Sequence, residues 1–284
     1  MIVSLKSIIQ NITKKKQGIG AFNTFNLETT QAIITASEKK KSSLIIQVTP
    51  KTINYVGLKN IYNLINNLAS QTKIPLAIHL DHGKDINLIK QCIDLGFSSV
   101  HFDGSESSIS KNIELTKKVV QYAKRKNVWV QGEVGVIFGK EGLIKLKEKK
   151  QKNIYLTDPL KAKEFVLKTK VDTLAISVGT LHGLFKGKEQ VDYDRVKKIK
   201  KLIPQTPLVL HGASGLTLIT LKKAIMAGIT IFNLDTTLRI AFTNAIKKAL
   251  TKKGEIIDPR YYLEEARTAI EKEVGRFLKI FKLR

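Results

Sequence analysis

Three of the five histidines of this 284-residue chain lie at or just after the end of an apolar, strand-like segment, and a glycine directly follows each one. These residues are His82, His182 and His211. Burying an ionisable group without a partner costs several kcal/mol, so such groups are usually paired, metal-bound or part of a site. Three imidazoles with an open fourth position describe a catalytic zinc site, in which Zn²⁺ acts as a Lewis acid or activates water. We therefore predict that the three histidines bind Zn²⁺ together.

Eight apolar segments of strand length alternate with amphipathic segments of helix length, and this alternation indicates parallel β/α architecture. The main rival is a doubly wound open sheet, but no Gly-x-Gly-x-x-Gly motif follows the first strand. We predict one (β/α)8 TIM-barrel domain over residues 1–284, with an added C-terminal helix over 258–283. The predicted strands are 20–23, 43–48, 76–80, 99–102, 128–134, 173–178, 208–210 and 229–234.

Polar residues collect at the carboxyl ends of the predicted strands, where barrels of this kind carry their active sites. Asp81 adjoins His82, and we interpret it either as a general acid/base that faces a substrate or as a residue that orients a loop. His79 is interpreted as a packing residue or as a neighbour of the metal ligands, and His101 as a structural residue. The polar residues at the strand ends are Asn23, Thr49, Asp81, His82, Asp103, Ser105, Glu133, His182, His211, Ser214, Asn233 and Asp235.

Glycines and hydroxyl-bearing residues follow the last three predicted strands, and their amides and hydroxyls could hold a phosphate group. The region after strands 7 and 8 is the usual phosphate site of these barrels, although loops contain glycine for other reasons as well. The residues concerned are Gly179, Gly183, Gly212, Ser214, Gly215, Asp235 and Thr236.

The chain carries a formal net charge of +25. This charge is compatible with a nucleic-acid or anionic-membrane partner, but its lysines are spread along the whole chain and form no tract laced with arginine or aromatic residues. We favour a lysine-rich surface and do not expect a nucleic-acid partner. Cys92 is the single cysteine, which excludes an internal disulfide and fits a reducing, cytoplasmic location. We expect no signal peptide, because the first ten residues have a lysine inside a short apolar run and no small-residue cleavage site. We expect no membrane span, because no apolar run approaches about 18 residues.

Residues 135–152 interrupt the alternation of strands and helices with a glycine- and lysine-rich segment that has no clean period. A loop of this length in a compact domain is usually a lid over the active site or is disordered. We therefore treat this segment as a candidate lid.

The motifs around these residues resemble those of class II, zinc-dependent fructose-bisphosphate aldolases, of the shorter type that includes tagatose-bisphosphate aldolases. The most specific are Leu-Asp-His-Gly at 80–83 and the two His-Gly pairs at 182–183 and 211–212. The motifs occur in the order of the family and extend over nearly the whole chain. The matching segments are 20–28, 77–83, 99–105, 178–183, 208–215, 233–236 and 258–260.

The resemblance implies a role for each matching residue. Zn²⁺ on His82, His182 and His211 would polarise the C2 ketone and stabilise the enediolate that is left when the C3–C4 bond breaks. Asp81 would take the proton from the C4 hydroxyl, and Glu141 would move the C3 proton of dihydroxyacetone phosphate. A monovalent cation, Na⁺ or K⁺, is a further implied cofactor. Asp103 and Glu133 would be alternative metal contacts or neighbours of the ligands, and the substrate and its phosphates would contact Asn23, Thr49, Gly183, Lys186, Gly212, Ser214, Asn233, Asp235, Thr236 and Arg260.

The chain also departs from the pattern of the family. Phe138 replaces a glycine and Gly142 an acid in the loop that carries the catalytic glutamate, and both changes could alter loop closure. Gln131 replaces the first of two glutamates that often occur before this loop. Thr49 stands where serine is common, and Thr237 where an acid is common.

Several alternatives stay open at this point. Tagatose 1,6-bisphosphate, which differs in one hydroxyl configuration at C4, or another phosphorylated ketose could be the substrate. A Schiff-base aldolase would need a lysine inside the barrel, and strands 6 and 7 contain histidines instead. A metal-dependent hydrolase and an RNA-binding barrel without activity are further possibilities. The resemblance also implies a homo-oligomer, a dimer or a tetramer, with the C-terminal helix as a candidate contact.

Overall fold

The computed structural model describes residues 1–137, 156–183, 191–252 and 256–282. Eight parallel strands pair in chain order, and β1 pairs with β8, so that the sheet closes into a barrel. The predicted (β/α)8 barrel with an added C-terminal helix is confirmed. The strands are β1 (Ile19–Asn23), β2 (Leu44–Val48), β3 (Leu76–Gly83), β4 (Ser99–Phe102), β5 (Trp129–Val134), β6 (Thr173–Ile176), β7 (Leu208–Leu210) and β8 (Ile229–Leu234).

Helices surround the barrel, and most of them begin at a side-chain N-cap. Asp85, Ser108, Asp158, Asp192 and Thr217 each accept a hydrogen bond from a backbone N–H of the first helical turn. A short 3₁₀ helix, Ala213–Gly215, follows β7. The α-helices are α1 (Leu5–Lys14), α2 (Leu27–Lys40), α3 (Pro50–Val56), α4 (Leu58–Ser70), α5 (Ile86–Leu95), α6 (Ile109–Lys124), α7 (Pro159–Thr169), α8 (Tyr193–Leu202), α9 (Leu218–Ala227), α10 (Thr236–Lys252) and α11 (Pro259–Phe281).

Two helices were not predicted from the sequence. α1 begins at the N-cap Ser4 and buries Leu5, Ile8 and Ile9 against the interior of the barrel. α3 follows β2 directly, where Thr49 caps it and a proline occupies its first turn. Both helices are short, and short helices depend on tertiary packing more than on their own sequence.

The barrel interior has an apolar layer at its amino-terminal end. Side chains from alternating positions of six strands pack there against α1. Burying an aliphatic side chain contributes about 1.5–3 kcal/mol, so this layer stabilises the scaffold on which the opposite end is built. The strand residues of the layer are Ile19, Ala21, Ile45, Ala77, Ala175, Val209 and Ile231.

The C-terminal helix α11 packs against α2, α10 and β1. Phe281 stacks on Phe232 of β8 with ring centroids 5.0 Å apart, and Phe277 lies 6.5 Å from Phe22 of β1. Aromatic pairs at these separations contribute beyond their buried area. α11 therefore seals the outside of the barrel where β1 meets β8. Within the described ranges, no helix is both long and apolar enough to cross a membrane.

Candidate functional site

The end of β3 carries a β-bulge that turns two consecutive side chains toward the mouth of the barrel. Leu80 pairs with Val100 and Gly83 with Phe102, so β3 has one residue more than β4 over this stretch. His82 adopts a left-handed backbone conformation with φ of 52°. Neighbouring strand residues normally point to opposite faces, but here Asp81 lines the cavity at the mouth and the His82 ring contacts the other histidines.

The three histidines of the sequence prediction lie together. The ring centroid of His82 is 5.0 Å from that of His182 and 4.6 Å from that of His211, and the last two are 5.5 Å apart. Burial lowers the pKa of His182 to about 3 and holds the pKa of His211 well below its ordinary value. Both imidazoles are therefore neutral at neutral pH, which is the form that binds metal ions.

Asp81 is 1% exposed and is held by side-chain amides from three strands. Gln47 and Asn23 donate to its Oδ2 over 3.2 and 3.4 Å, and Asn233 donates to its Oδ1 over 3.2 Å. Burial by itself would raise the pKa of Asp81, but the facing His82 and other histidines lower it well below its ordinary value. Hydrogen bonds to a carboxylate also favour its charged form, so Asp81 is ionised and fixed in orientation.

A second pair of carboxyl groups lies beside His82. Asp103 Oδ2 is 3.0 Å from His82 Nδ1, and the Ser105 hydroxyl donates to Asp103 Oδ1 over 2.6 Å. Burial, followed by the charge of Asp103, raises the pKa of Glu133 to about 8. Glu133 is therefore protonated at neutral pH, and Asp103 holds the orientation of the His82 ring.

His101 and Gln131 also reach this site. His101 is fully buried, and its Nδ1 accepts a hydrogen bond from the backbone N–H of His82 over 3.2 Å. The Gln131 side-chain amide lies 3.1 Å from His211 Nε2. From sequence, His101 is interpreted as structural and Gln131 only as a departure from the family, and their contacts with the predicted ligands are not foreseen.

Gln47 was not identified from the sequence at all. It lies within the apolar run of β2 and is fully buried, between Asn23 and Asp81. A polar residue two positions before Thr49, and therefore on the same face of the strand, was the signal that could have identified it.

A cavity opens at the carboxyl end of the barrel, beside the histidines and Asp81. Gly212 has a left-handed backbone with φ of 70°, and a Cβ at this position would collide with the backbone oxygen of Leu181. Ser214 Oγ accepts from the backbone N–H of Asp235 over 3.2 Å, and the Asp235 carboxylate pairs with Arg239 at 2.7 Å. The cavity is lined by Asn23, Asp81, His182, Gly183, His211, Gly212, Ser214, Asn233, Asp235 and Thr236.

Two residues predicted to contact the substrate, Thr49 and Arg260, do not line this cavity. Thr49 caps α3 by accepting from the backbone N–H of Thr52. The Arg260 side chain is 89% exposed and pairs with Asp258 at the start of α11. Glu141 and Lys186 lie outside the described residues, as do Phe138 and Gly142 of the changed loop and nearly all of the candidate lid.

The donor atoms of the site suit a divalent cation such as Zn²⁺. Asp81, His82, His101 and His211 each offer one ligand atom, and these atoms lie within 4.8 Å of one another. His82, Asp103 and Glu133 form a second group of the same kind. Imidazole nitrogens and carboxylate oxygens are ordinary zinc ligands, and the His182 ring lies against two members of the first group. The residues present therefore fit a bound metal ion.

Comparison with known proteins points to one family. The family model of class II fructose-bisphosphate aldolase matches residues 3–284. The crystal structure of the YdjI aldolase from Escherichia coli K12 is 27% identical, with a TM-score of 0.86 over 99% of this chain and 97% of that chain. A fructose-bisphosphate aldolase structure from Campylobacter jejuni is 21% identical and shares the fold, with a TM-score of 0.81 over 99% of this chain and 95% of that chain. The chain therefore belongs to the class II fructose-bisphosphate aldolase family, a metal-dependent family that cleaves phosphorylated sugars by an aldol reaction.

Proposed function

We propose that the protein is a zinc-dependent aldolase that reversibly cleaves fructose 1,6-bisphosphate to dihydroxyacetone phosphate and glyceraldehyde 3-phosphate. The observation that carries the proposal is the meeting of the His82, His182 and His211 rings beside the cavity that the ionised Asp81 lines. A Schiff-base aldolase would need a lysine at the corresponding strand ends, and β6 and β7 contain none.

Asp81 is the proposed base. It takes the proton from the C4 hydroxyl in cleavage and returns it in condensation. The amides of Gln47 and Asn233 support this role, because they hold the carboxylate in one orientation while its burial excludes water. Zn²⁺, when bound by the three histidines, supplies Lewis-acid polarisation of the C2 ketone. Glu141 is the proposed residue for the C3 proton.

One phosphate group of the substrate is proposed to bind beside the start of α10. Thr236, the first residue of this helix, lines the cavity together with Ser214 and Gly212. Backbone N–H groups at a helix N-terminus favour anions. Gly183 and Asp235 complete the proposed cradle, and Asn233 is proposed to contact the bound ketone.

A coupled aldolase assay on purified protein tests the proposal. Fructose and tagatose 1,6-bisphosphate are compared before and after thorough chelation, and again after Zn²⁺ is restored. We expect cleavage to stop on chelation and to return with Zn²⁺, with the larger kcat/KM for the fructose isomer. Mg²⁺ added at the same concentration is the matched control, because it prefers oxygen ligands and should not restore activity.

The possible outcomes separate the alternatives. Cleavage that survives metal removal would contradict the zinc mechanism. A larger kcat/KM for tagatose bisphosphate would leave the mechanism in place and change the substrate. Failure to cleave either sugar, with zinc bound, would point to another phosphorylated ketose. The single-domain organisation, the homo-oligomeric state, the monovalent cation and the cytoplasmic location stay predictions.

A further inference from the structure

The bulge at the end of β3 places two residues opposite one residue of β4. Between the pairs Leu80–Val100 and Gly83–Phe102, β3 has the two residues Asp81 and His82, whereas β4 has only His101. At a bulge the regular ladder is disrupted, so backbone groups on the longer strand need other partners. His101 lies where such a partner is required.

His101 supplies that partner from its side chain. Its ring is fully buried, and Nδ1 accepts the backbone N–H of His82 over 3.2 Å. The same Nδ1 is 3.9 Å from Asp81 Oδ1, which is too long for a hydrogen bond. The His82 backbone is left-handed, a conformation that costs a non-glycine residue about 1–2 kcal/mol. A specific hydrogen bond at this position therefore offsets part of the local strain.

This hydrogen bond also determines the tautomer of His101. An Nδ1 that accepts carries no proton, so the neutral ring is protonated at Nε2. Nε2 lies 3.5 Å from Glu133 Oε2, and neither atom has a hydrogen-bond partner among the described residues. The ring thus extends from the bulge of β3 to the carboxyl group on β5.

We propose that His101 is a positioning residue, which holds the bulge of β3 so that Asp81 and His82 both face the metal site. This inference rests on the proposed function for its catalytic consequence, but its structural content does not depend on the reaction. The nitrogen nearest to Asp81 is engaged by the backbone, so we assign His101 to support of the ligands and not to coordination.

Two substitutions of His101 by residues with a side-chain amide test the roles of its two ring nitrogens separately. The side-chain amide of asparagine reaches the position of Nδ1, whereas that of glutamine reaches the position of Nε2. His101→Asn therefore retains an acceptor for the His82 N–H, and His101→Gln does not. His79→Gln is the matched control, because it removes a buried histidine on β3 whose ring hydrogen-bonds Ser99 and makes no hydrogen bond to the His82 backbone.

The first measurement is hydrogen exchange of the His82 amide in the metal-free proteins, which needs no activity. We expect exchange at least tenfold faster in His101→Gln, and rates near wild type in His101→Asn and in His79→Gln. Zinc loss to a chelator should follow the same order. Equal exchange in both His101 variants and wild type, with zinc binding lost equally from both variants, would show that His101 is a metal ligand and would overturn the proposal.

A second measurement covers the case in which His101→Gln does not fold. Long-range ¹⁵N–¹H NMR of the metal-free wild-type protein, with His101 assigned through His101→Asn, reports which ring nitrogen carries the proton. Protonation at Nε2 supports the proposal, and protonation at Nδ1 contradicts it. Neither measurement depends on cleavage of a sugar, so their failure is distinct from failure of the proposed aldolase activity.

Discussion

The two ends of the barrel interior differ completely in chemistry, although the same strands build both. Residues two positions apart in a strand lie on the same face. On this face Ala21 is followed by Asn23 in β1, and Ile45 is followed by Gln47 in β2. The same step leads from Val209 to His211 after β7 and from Ile231 to Asn233 in β8. About 7 Å of strand therefore separates a packed core from the proposed reaction site.

The two layers also differ in how many of their buried polar atoms form hydrogen bonds. The apolar layer at the amino-terminal end of the barrel, here called the lower layer, consists of aliphatic side chains packed against α1. The polar residues at the carboxyl end form the upper layer. In the described part of the chain, buried polar atoms without a hydrogen-bond partner occur in the upper layer, among them Gln47 Oε1, Glu133 Oε2 and Asn233 Oδ1. Unsatisfied buried groups lower stability, so the fold tolerates them where a substrate or a metal ion can complete them. We therefore predict that substitutions at the upper, carboxyl end reduce catalysis and that substitutions at the lower, amino-terminal end reduce stability.

The largest effect is expected at the upper end, for Asp81→Asn. Loss of a general base typically slows a reaction by about 10²–10⁴-fold, and we expect kcat for sugar bisphosphate cleavage to fall by that factor. The free energy of unfolding should change by less than about 1 kcal/mol, because the amides of Gln47 and Asn233 can rotate to match the new side chain. Steady-state kinetics and urea denaturation test both statements, and a loss of kcat smaller than about tenfold would contradict the assigned role.

The next effect is expected at the lower end, for Ile231→Ala. Ile231 is 2% exposed within the apolar layer, and truncation of a buried isoleucine costs about 2–5 kcal/mol. The urea midpoint should fall accordingly, while kcat/KM of the folded enzyme stays at the wild-type value. Met226→Ala is the matched control, because this side chain is 86% exposed on α9 and should leave stability within about 0.5 kcal/mol. A catalytic defect in Ile231→Ala would show that the two ends are not independent.

The smallest effect is expected for His79, which pairs in register with Gln47 of the polar end. Burial lowers the pKa of His79 to about 3, with Asp81 opposing and His101 and His82 adding to the shift, against an ordinary value of 6.5. The unfolded chain therefore binds a proton below pH 6.5 that the folded protein excludes, so stability is lost as the pH falls from 6.5 toward 3. This histidine contributes about 1.4 kcal/mol per pH unit to that loss.

His79→Gln should reduce the pH dependence by that amount. Urea denaturation of the metal-free wild type and variant at pH 7 and pH 5 measures the two slopes. Equal slopes would mean that His79 is already accessible to protons in the folded protein. His101→Gln at the bulge extends the comparison to the support of the proposed metal ligands.

The sequence by itself predicted the architecture and the clustering of the three histidines. Strand-length and helix-length periods are local properties, and eight alternations without a dinucleotide motif identified the barrel. The position of His82, His182 and His211 at strand ends was enough to predict their meeting, because all carboxyl ends of a parallel barrel share one face. These inferences depend on residue type and spacing, which the chain carries without its fold.

Tertiary structure decided the details that make the site work. The predicted third strand ended at Leu80, whereas β3 continues through a bulge to Gly83, so that Asp81 lines the cavity and the His82 ring contacts those of His182 and His211. His101 contacts His82, which is 19 positions away, and Gln47 contacts Asn23, which is 24 positions away, and no local pattern reports such contacts between strands. Hydrogen bonds across strands depend on register, and register is a property of the closed barrel rather than of any single segment.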